Sequence, residues 1–594
     1  MNRFEGPAQR LFRRKNAVRT CARFAAGCVA LTIGFASLTA SVLPAGSAGW
    51  PSYGFSLENT RHVPWTDINS RNVSRLALVW RFNTGVYGRL ETSPVVVGDT
   101  MYVTTGPDNS VIALDARSGE LKWRYTPQLG FTAYIFAVNR GVAVDGGKVF
   151  YATLDGRLIA LDARTGKPRW RVQVGSPLQG FSETMAPLAW KGKVFIGSSG
   201  GEFGIRGSFT AYAQSDGTML WRWYSVSRGW EGRFVSQVHG VLLHRDISRE
   251  RANAAKFSAA WMHGGGPIWM TPALDVRRET IYLSTGNPSP PYNADQRPGD
   301  NLYTDSIVAL NANTGKLKWF YQETPHDVWD YDAASPPLLF DALDRAGRRV
   351  AAVGEAGKTG WFYIVDRDSG RLLRVSEPFV PQHNVYARPA SRGVVVEPGE
   401  SGGAIGPLSY DPSSHQVFIG AIVAKEAARS WLEKPWQAGG RKWLGGEQHW
   451  LAQGNGNFAA LNVDTGKLTW RYKARYPIIG GSLSAADLVF VGEEGTAAFD
   501  AFDVRSGKLL WRYQPNVSGN PDPATSPPLR YLKGLWARLK RRLLNEPVPE
   551  SDSDIHAPPV AYKVANREYI AIAADQPFQV DNRLGDAILA FALR

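Results

Sequence analysis

Short apolar runs, separated by turns rich in Gly, Asp and Asn, recur along most of the chain. In residues 111–114 (VIAL) the run is continuous, whereas in residues 121–125 (LKWRY) apolar and polar positions alternate. Runs of this length bounded by turn residues are typical of β-strands. The pattern therefore predicts an all-β chain built from short hairpins.

One unit, Ala-x-Asp/Asn-x-x-Thr/Ser-Gly-x-x-x-Trp, repeats along the chain. Five copies end at Trp123, Trp170, Trp319, Trp470 and Trp511, a weaker copy ends at Trp221, and a seventh has Arg374 in place of the Trp. The Gly suits the positive φ of a tight turn. Because each Trp follows its turn at a fixed distance, we expect every ring to fill the same gap between neighbouring sheets. Burying one such ring stabilises the fold by at most roughly 4–6 kcal/mol.

The spacing of the unit predicts the architecture. Most copies are 41 to 55 residues apart, which suits a four-stranded propeller blade, and two gaps near 97 residues are expected to hold long loops. Residues 78–82 resemble the second half of a unit and residues 588–593 the first half. The predicted fold is an eight-bladed β-propeller with tryptophan-docking repeats, closed by pairing of the N- and C-terminal strands, which removes open edges.

Residues 1–48 have the pattern of a signal peptide, so the propeller is expected to span residues 49–594. A basic region is followed by an apolar stretch from about Phe24 to Leu43 and by the small residues Gly46-Ser47-Ala48. A retained membrane anchor is the alternative, although the apolar stretch is short for a spanning helix. The pattern predicts export to the periplasm.

Charge and cysteine usage exclude several classes of protein. The net charge is +15, and residues 1–48 carry seven basic residues and one acidic residue, which leaves +9 on the remainder. A basic surface suits an acidic partner or anionic lipid, and for an exported chain these are favoured over nucleic acid. The cysteines, Cys21 and Cys28, permit neither a CxxCH haem site nor a disulfide framework.

The repeat, together with four loop segments, resembles the PQQ-dependent (pyrroloquinoline quinone) alcohol and methanol dehydrogenases from about Trp50 to Arg594. The segments are residues 197–204 (GSSGGEFG), 264–269 (GGGPIW), 284–288 (STGNP) and 324–332 (TPHDVWDYD). The resemblance implies a periplasmic dehydrogenase that oxidises an alcohol or sugar hydroxyl and passes electrons to a separate cytochrome c or quinone.

The same resemblance implies the site residues. Asp330 matches the catalytic base, and Lys358 stands where the family has Arg or Lys near the reactive quinone oxygen. Glu202 and Asn287 match metal ligands, to which Asp330 and Asp332 add oxygens. The positions that match cofactor contacts are Glu91, Arg140, Thr184, Ser199, Gly200, Gly201, Trp269 and Lys358.

These residue types suit the implied chemistry. PQQ carries three carboxylates and needs cations and hydroxyl donors. Ca²⁺ prefers oxygen ligands and acts as a Lewis acid, and a carboxylate can take a hydroxyl proton. Taken singly, Glu202 and Asn287 fit ordinary turn residues, Asp330 fits a turn cap or a partner of a surface Arg, Trp269 fits the core, and Arg140 and Lys358 fit solvated charges. Their joint presence in the family's order favours the site.

The chain departs from the methanol dehydrogenases at the predicted pocket. Tyr134-Ile135 stand where that group has adjacent cysteines, Pro267 replaces a Thr, and Ile479 replaces a pocket Trp. These changes put methanol in doubt as the substrate and indicate a differently shaped pocket. Asp332 and Gly201 match lanthanide-dependent members, so a lanthanide is the alternative to Ca²⁺.

Residues 529–544 combine apolar residues at helical spacing with six basic residues, between two proline-rich segments. The pattern predicts a basic amphipathic helix inserted in the propeller. It suits contact with a membrane surface or an electron acceptor, and packing on the propeller is the alternative. A non-catalytic propeller scaffold of the outer-membrane assembly-factor type remains the rival for the whole chain, followed by an enzyme relic that binds the quinone but turns over poorly.

Overall fold

The computed structural model describes residues 48–86, 88–452, 454–514, 554–575 and 586–594. The predicted signal segment, apart from Ala48, and the predicted helix at 529–544 lie outside these residues. Within them, no helix is long and apolar enough to cross a membrane.

Antiparallel strands make up most of the first half. The strands are β1 (His62–Val63), β2 (Leu76–Asn83), β3 (Val95–Val97), β4 (Thr100–Thr104), β5 (Val111–Asp115), β6 (Leu121–Tyr125), β7 (Ala143–Asp145), β8 (Lys148–Ala152), β9 (Arg157–Asp162), β10 (Pro168–Gln173), β11 (Leu188–Trp190), β12 (Lys193–Gly197), β13 (Ser208–Ala213), β14 (Met219–Tyr224), β15 (Gln237–Val238) and β16 (Val241–Leu242). The helix α1 (Ile247–Asn253) follows, and short 3₁₀ turns cover Val73–Arg75, Pro177–Gln179, Gly201–Phe203 and Ala260–His263.

The second half continues the pattern. Its strands are β17 (Ala273–Asp275), β18 (Thr280–Thr285), β19 (Ser306–Asn311), β20 (Leu317–Gln322), β21 (Leu338–Leu343), β22 (Arg349–Ala356), β23 (Phe362–Asp366), β24 (Leu372–Val375), β25 (Val394–Val396), β26 (Ser409–Asp411), β27 (Gln416–Val423), β28 (Glu426–Ser430), β29 (Gly446–Trp450), β30 (Asn455–Asn462), β31 (Leu468–Ala474), β32 (Ser482–Ala485), β33 (Leu488–Gly492), β34 (Phe499–Asp503), β35 (Leu509–Tyr513), β36 (Val560–Val564), β37 (Arg567–Ala574) and β38 (Ala587–Leu593).

Across the described residues these strands form eight sheets of four or five strands, most of them consecutive in the chain. The order in one sheet is β2-β38-β37-β36, where β2 runs antiparallel to β38 from Leu76 opposite Leu593 to Asn83 opposite Ala587. The all-β prediction is confirmed.

The repeated Trp residues lie between neighbouring sheets. A Cβ added at the turn glycine Gly166 would lie 2.5 Å from the Trp123 ring, and the Trp123 Nε1–H donates to the Ala163 carbonyl at 3.1 Å. Gly166 has φ +70°, so both the turn and the ring require Gly there. Where the seventh unit lacks its Trp, the Arg374 side chain packs on the next turn glycine, Gly466.

The two long gaps contain more structure than loops, which corrects the expectation from spacing. One holds the β15–β16 hairpin and α1, and the other contributes a separate three-stranded sheet in the order β25-β28-β29. The sequence pattern missed these strands because β28 and β29 lie in a polar segment without the repeat's turn signal.

Candidate active site

A cavity of about 470 Å³ gathers most of the predicted site residues. Ten of the twelve line it: Glu91, Arg140, Thr184, Ser199, Gly200, Glu202, Trp269, Asp330, Asp332 and Lys358. Gly201 and Asn287 lie in the layer behind them, where a Cβ on Gly201 would be 2.8 Å from Asn287 Oδ1. A second cavity of about 520 Å³ beside α1 contains none of the twelve.

The strand order explains why residues so distant in sequence meet. Glu91, Arg140 and Trp269 precede the first strand of a sheet, whereas Ser199 and Lys358 follow the second strand. In an antiparallel pair, the start of one strand and the end of the next lie at the same edge. The five sheets that carry these residues therefore contribute them to the same cavity.

A chain of polar contacts runs along one wall of the cavity. Glu91 forms ion pairs with Arg89 and Arg140, each at 2.7 Å. Arg140 donates to Thr184 Oγ1 at 2.7 Å, and that hydroxyl lies 2.7 Å from Ser199 Oγ. The Arg140 guanidinium also lies 4.8 Å from the centre of the Trp269 ring. This wall offers a cation and two hydroxyls beside an aromatic face, which suits a planar polycarboxylate.

Glycine shapes the turn that carries Glu202. Gly200 has φ +116°, and a Cβ there would collide with the Gly180 carbonyl. The chain can then enter the 3₁₀ turn Gly201–Phe203 and direct Glu202 to the cavity. Burial raises the pKa of the Glu202 carboxyl above its usual value.

Asp330, Asp332 and Lys358 form a buried ionic cluster. Lys358 Nζ lies 3.2 Å from Asp330 Oδ2 and 2.7 Å from Asp332 Oδ2. Burial would lower the pKa of the Lys358 ammonium, but the two aspartates raise it above its usual value. Burial, with Asp332 and Glu202, raises the pKa of Asp330 well above its usual value, although Lys358 opposes this shift.

The oxygen atoms around the cluster fit a hard cation. Asn287 Oδ1 and Asp330 Oδ1 are buried and have no hydrogen-bond partner among the described residues. Glu202, Asp330 and Asp332 face Lys358, and Lys442 also lines the cavity and acts on Glu202. The three carboxyl groups outnumber these two ammonium groups, and a divalent cation would balance the difference. Both carboxylate oxygens of Asp332 have partners. Its Oδ1 accepts from the Asn287 N–H at 2.6 Å, and its Oδ2 pairs with Lys358. Within the described part of the chain, no three His, Cys, Asp or Glu side chains form a metal-binding group by themselves.

Two residues that the sequence reasoning missed hold the loop that carries Asp330. Asp327 accepts hydrogen bonds from the backbone N–H groups of Trp329 at 2.9 Å and Tyr331 at 3.1 Å. The fully buried Arg297 donates to the Asp327 carbonyl and, at 2.7 Å, to Asn301 Oδ1. An Asp three residues before the predicted base was a weak signal in the sequence, and Arg297 had none.

The positions that depart from the methanol dehydrogenases also line the cavity. Tyr134, Ile135, Pro267 and Ile479 all contribute to its wall, together with Phe136. The Tyr134 and Phe136 side chains are exposed. An aromatic and aliphatic rim therefore surrounds the polar floor formed by Asp330 and Lys358.

Comparison with known proteins agrees with this geometry. Residues 50–393 match the family model described as glucose/ethanol/alcohol dehydrogenase, β-propeller domain, and residues 418–534 match one described as outer membrane protein assembly factor BamB. A quinohemoprotein alcohol dehydrogenase of Comamonas testosteroni is 35% identical over 63% of this chain and 54% of its own length, so the chain spans about half of that relative.

Two further proteins match over more of their length. The quinoprotein alcohol dehydrogenase PedH of Pseudomonas putida is 32% identical over 74% of this chain and 77% of its own. A europium-containing methanol dehydrogenase structure matches with a TM-score of 0.73 and 26% identity over 92% of this chain and 98% of its own. The chain therefore belongs to the PQQ β-propeller family of glucose, ethanol and alcohol dehydrogenases.

Proposed function

We propose that this protein is a PQQ-dependent dehydrogenase that oxidises the hydroxyl of an alcohol or sugar. The observation that carries the proposal is Asp330, a buried carboxyl with a free Oδ1 on the floor of the cavity and with Oδ2 beside Lys358. The names of the relatives, which are alcohol dehydrogenases, support the same reaction class.

Each wall of the cavity has a role in this proposal. Arg140, Thr184 and Ser199 would bind cofactor carboxylates, and Trp269 would support the ring face. Glu91 would hold Arg140 in place, Gly200 would line the cofactor's cavity, and Gly201 would let the chain pack closely against Asn287. When bound with its cation, PQQ supplies a quinone that accepts a hydride.

Asp330 Oδ1 would accept the proton of the substrate hydroxyl. This oxygen lies at the floor of the cavity, where a bound hydroxyl would be within hydrogen-bond distance. Lys358, which contacts Oδ2 at 3.2 Å, favours the ionised form of Asp330 and orients it. The rim that includes Tyr134 and Phe136 would exclude water from the reacting atoms.

Glu202 and Asn287 would ligate the cation, with Ca²⁺ as the first candidate, and Asp330 would join them through Oδ2, the oxygen that does not take the substrate proton. Lys358 Nζ lies 2.7 Å from Asp332 Oδ2. Asp332 would therefore join the cation ligands only if Lys358 gave up this contact. A lanthanide, with its higher charge, would favour that exchange, as the similarity to a europium-containing enzyme suggests.

The remaining parts of the proposal concern the whole protein. Residues 1–48 would direct export to the periplasm, and electrons would leave to a separate cytochrome c or quinone. The eight sheets would be eight blades, and the β2–β38 pairing would close the ring. The segment at 529–544 would contact a membrane surface or the acceptor.

The test is reconstitution of the purified protein with PQQ and either Ca²⁺ or La³⁺, followed by dye-linked assays over alcohols and sugars. Cofactor uptake with turnover of at least one substrate is expected. No uptake with either metal would refute the enzyme and favour the scaffold that the match of residues 418–534 suggests.

Asp330→Asn should retain PQQ binding and lose about 10²–10⁴-fold in kcat, because the amide cannot accept the hydroxyl proton. Equilibrium PQQ binding and steady-state kinetics measure the two effects. Asp341→Asn, at an exposed position in β21, is the matched control and should change neither. Unchanged turnover in Asp330→Asn would remove this residue as the base.

A further inference from the structure

One carboxyl group that the proposed reaction does not use also lines the active-site cavity. Glu400 borders this cavity together with Asp330 and Lys442, and the residue is partly exposed. Its Oε2 is buried and has no hydrogen-bond partner among the described residues. A carboxyl group without a donor is unfavourable in such a place. A molecule in the cavity that brings a donor is therefore bound more tightly than one that does not.

Hydrogen bonds place Glu400 beside the segment that carries the proposed base. Gln448 in β29 joins the two, because its Oε1 accepts from the Glu400 N–H at 3.2 Å and its Nε2 donates to the Trp329 carbonyl at 2.7 Å. The Tyr331 hydroxyl donates to the Pro398 carbonyl at 2.6 Å. The loop that carries Glu400 is thus bonded to the residues before and after the proposed base, so Glu400 lies on that side of the cavity.

The neighbouring polar groups leave the Glu400 carboxyl without a donor. The Ser401 N–H donates to Glu426 Oε1 at 3.1 Å and not to Glu400. Lys442 lines the same cavity, but Glu400 Oε2 has no partner in the described part of the chain. The carboxyl group is therefore available to a ligand.

The cavity wall around this carboxyl is mostly apolar. The residues that line it from the neighbouring segments include Ile405, Ile422, Leu444 and Trp450. In a mostly apolar pocket, a few polar groups determine how a ligand is oriented. A site that is built to hydrogen-bond a hydroxyl group also discriminates strongly against the analogue that lacks it, because the polar group of the site is then left unpaired.

We infer that Glu400 binds a second hydroxyl group of the substrate, so that the enzyme prefers diols, polyols or sugars to alcohols with a single hydroxyl group. The inference rests on the proposed function, in which Asp330 accepts the proton of the reacting hydroxyl. Glu400 accepts a hydrogen bond from another hydroxyl group of the same molecule and takes no part in the hydride transfer. A substrate with one hydroxyl group leaves the Glu400 carboxyl without a donor, which lowers its kcat/KM.

Matched pairs of substrates test the inference in the protein reconstituted with PQQ and either Ca²⁺ or La³⁺. The pairs are 1,4-butanediol with 1-butanol and glycerol with 1-propanol, and each kcat/KM is divided by the number of equivalent hydroxyl groups. In at least one pair, the wild type should prefer the substrate with more hydroxyl groups by at least about tenfold. Glu400→Leu, which removes the acceptor, should reduce this preference at least about fivefold. Glu120→Leu, at an exposed position, is the control and should keep it. The inference is overturned if the wild type shows no preference in either pair, or if Glu400→Leu loses activity equally on both substrates of a pair.

A second measurement needs no turnover. Saturation-transfer NMR on the protein without PQQ should show transfer to glycerol in the wild type and at least about threefold less in Glu400→Leu. Equal transfer in the two proteins would also overturn the inference. If the wild type oxidises alcohols without preferring a second hydroxyl group, the inference alone fails. If it oxidises none, the proposed function fails, and the NMR result still decides whether Glu400 binds a hydroxyl group.

Discussion

Asp330 has a backbone φ of +65°, a conformation that costs energy for a residue with a Cβ. The loop tolerates it because Asp327 binds the N–H groups on either side, at Trp329 and Tyr331. Trp329 adds a second anchor, since its indole N–H donates to the Ala387 carbonyl at 2.8 Å. The proposed base is therefore held by its neighbours in sequence and by a distant segment together.

We expect Asp327→Asn to destabilise the protein by roughly 1–3 kcal/mol, because one backbone N–H would face an amide NH₂ instead of an oxygen. Turnover should fall as well, since the loop positions Asp330. Urea unfolding and kcat measure the two effects, and Asp341→Asn again serves as the exposed control. Wild-type stability in Asp327→Asn would show that the loop is held elsewhere.

At this scale the sequence could predict which residue types surround the cavity, since Glu202, Trp269, Asp330 and Lys358 stand in recognisable motifs. It could not predict Arg297, which donates to the Asp327 carbonyl behind the proposed base. A buried charge has no periodic pattern, and its partners are determined by loops that meet only in the folded chain.

At the scale of elements, the docking Trp residues differ in one contact. Trp319 Nε1–H donates to the Arg367 carbonyl at 3.1 Å, and Trp123, Trp170, Trp470 and Trp511 make equivalent bonds. The Trp221 Nε1 has no partner among the described residues, although its ring packs on Gly315 in the same way. The weaker sequence copy is thus also the weaker contact.

This difference predicts unequal costs for the same substitution. Trp319→Phe removes ring area and leaves the Arg367 carbonyl without the indole N–H that donates to it. Trp221→Phe removes ring area but breaks no hydrogen bond of the indole. We expect the first to cost about 1 kcal/mol more than the second. Denaturant unfolding of the two variants measures the difference, and equal costs would show that the indole N–H contributes nothing.

Only the strands next to the repeat's turn could be located from the sequence. Turn chemistry located the sheets that contain a Thr/Ser-Gly turn, and Arg374 marked the unit without its Trp. The sheet β25-β28-β29 lacks such turns, so spacing alone assigned its residues to a loop.

At the scale of the whole molecule, His556 links segments that are far apart in sequence. Its Nδ1 pairs with Asp575, and its Nε2 lies 2.8 Å from Glu494, which lines the cavity. Asp575 also accepts from the Leu90 N–H at 2.6 Å. Burial alone would lower the pKa of His556, but Asp575 and Glu494 raise it to about 10.

This raised pKa predicts how stability depends on pH. The protonated His556 stabilises the fold fully below the unfolded value of about 6.5, and the contribution is lost as pH rises from there through about 10. We expect His556→Gln to cost roughly 3–5 kcal/mol at pH 7, as breaking a buried ion pair does. Its Tm should also change less between pH 7 and 10 than the wild-type Tm.

Thermal unfolding across that pH range tests the prediction. His449→Gln, at an exposed position in β29, is the control and should follow the wild type. Parallel Tm curves for His556→Gln and the wild type would contradict a charged His556.

The sheet that contains β2 and β38 joins strands from distant parts of the sequence. In the order β2-β38-β37-β36, the strand made last lies between the strand made first and the other two. Until residues 587–593 have been added, β2 has no strand partner in this sheet, and β37 has one edge without a partner. A chain truncated before Ala587 would leave β2 and β37 with unpaired edges, which can pair with strands of a neighbouring molecule.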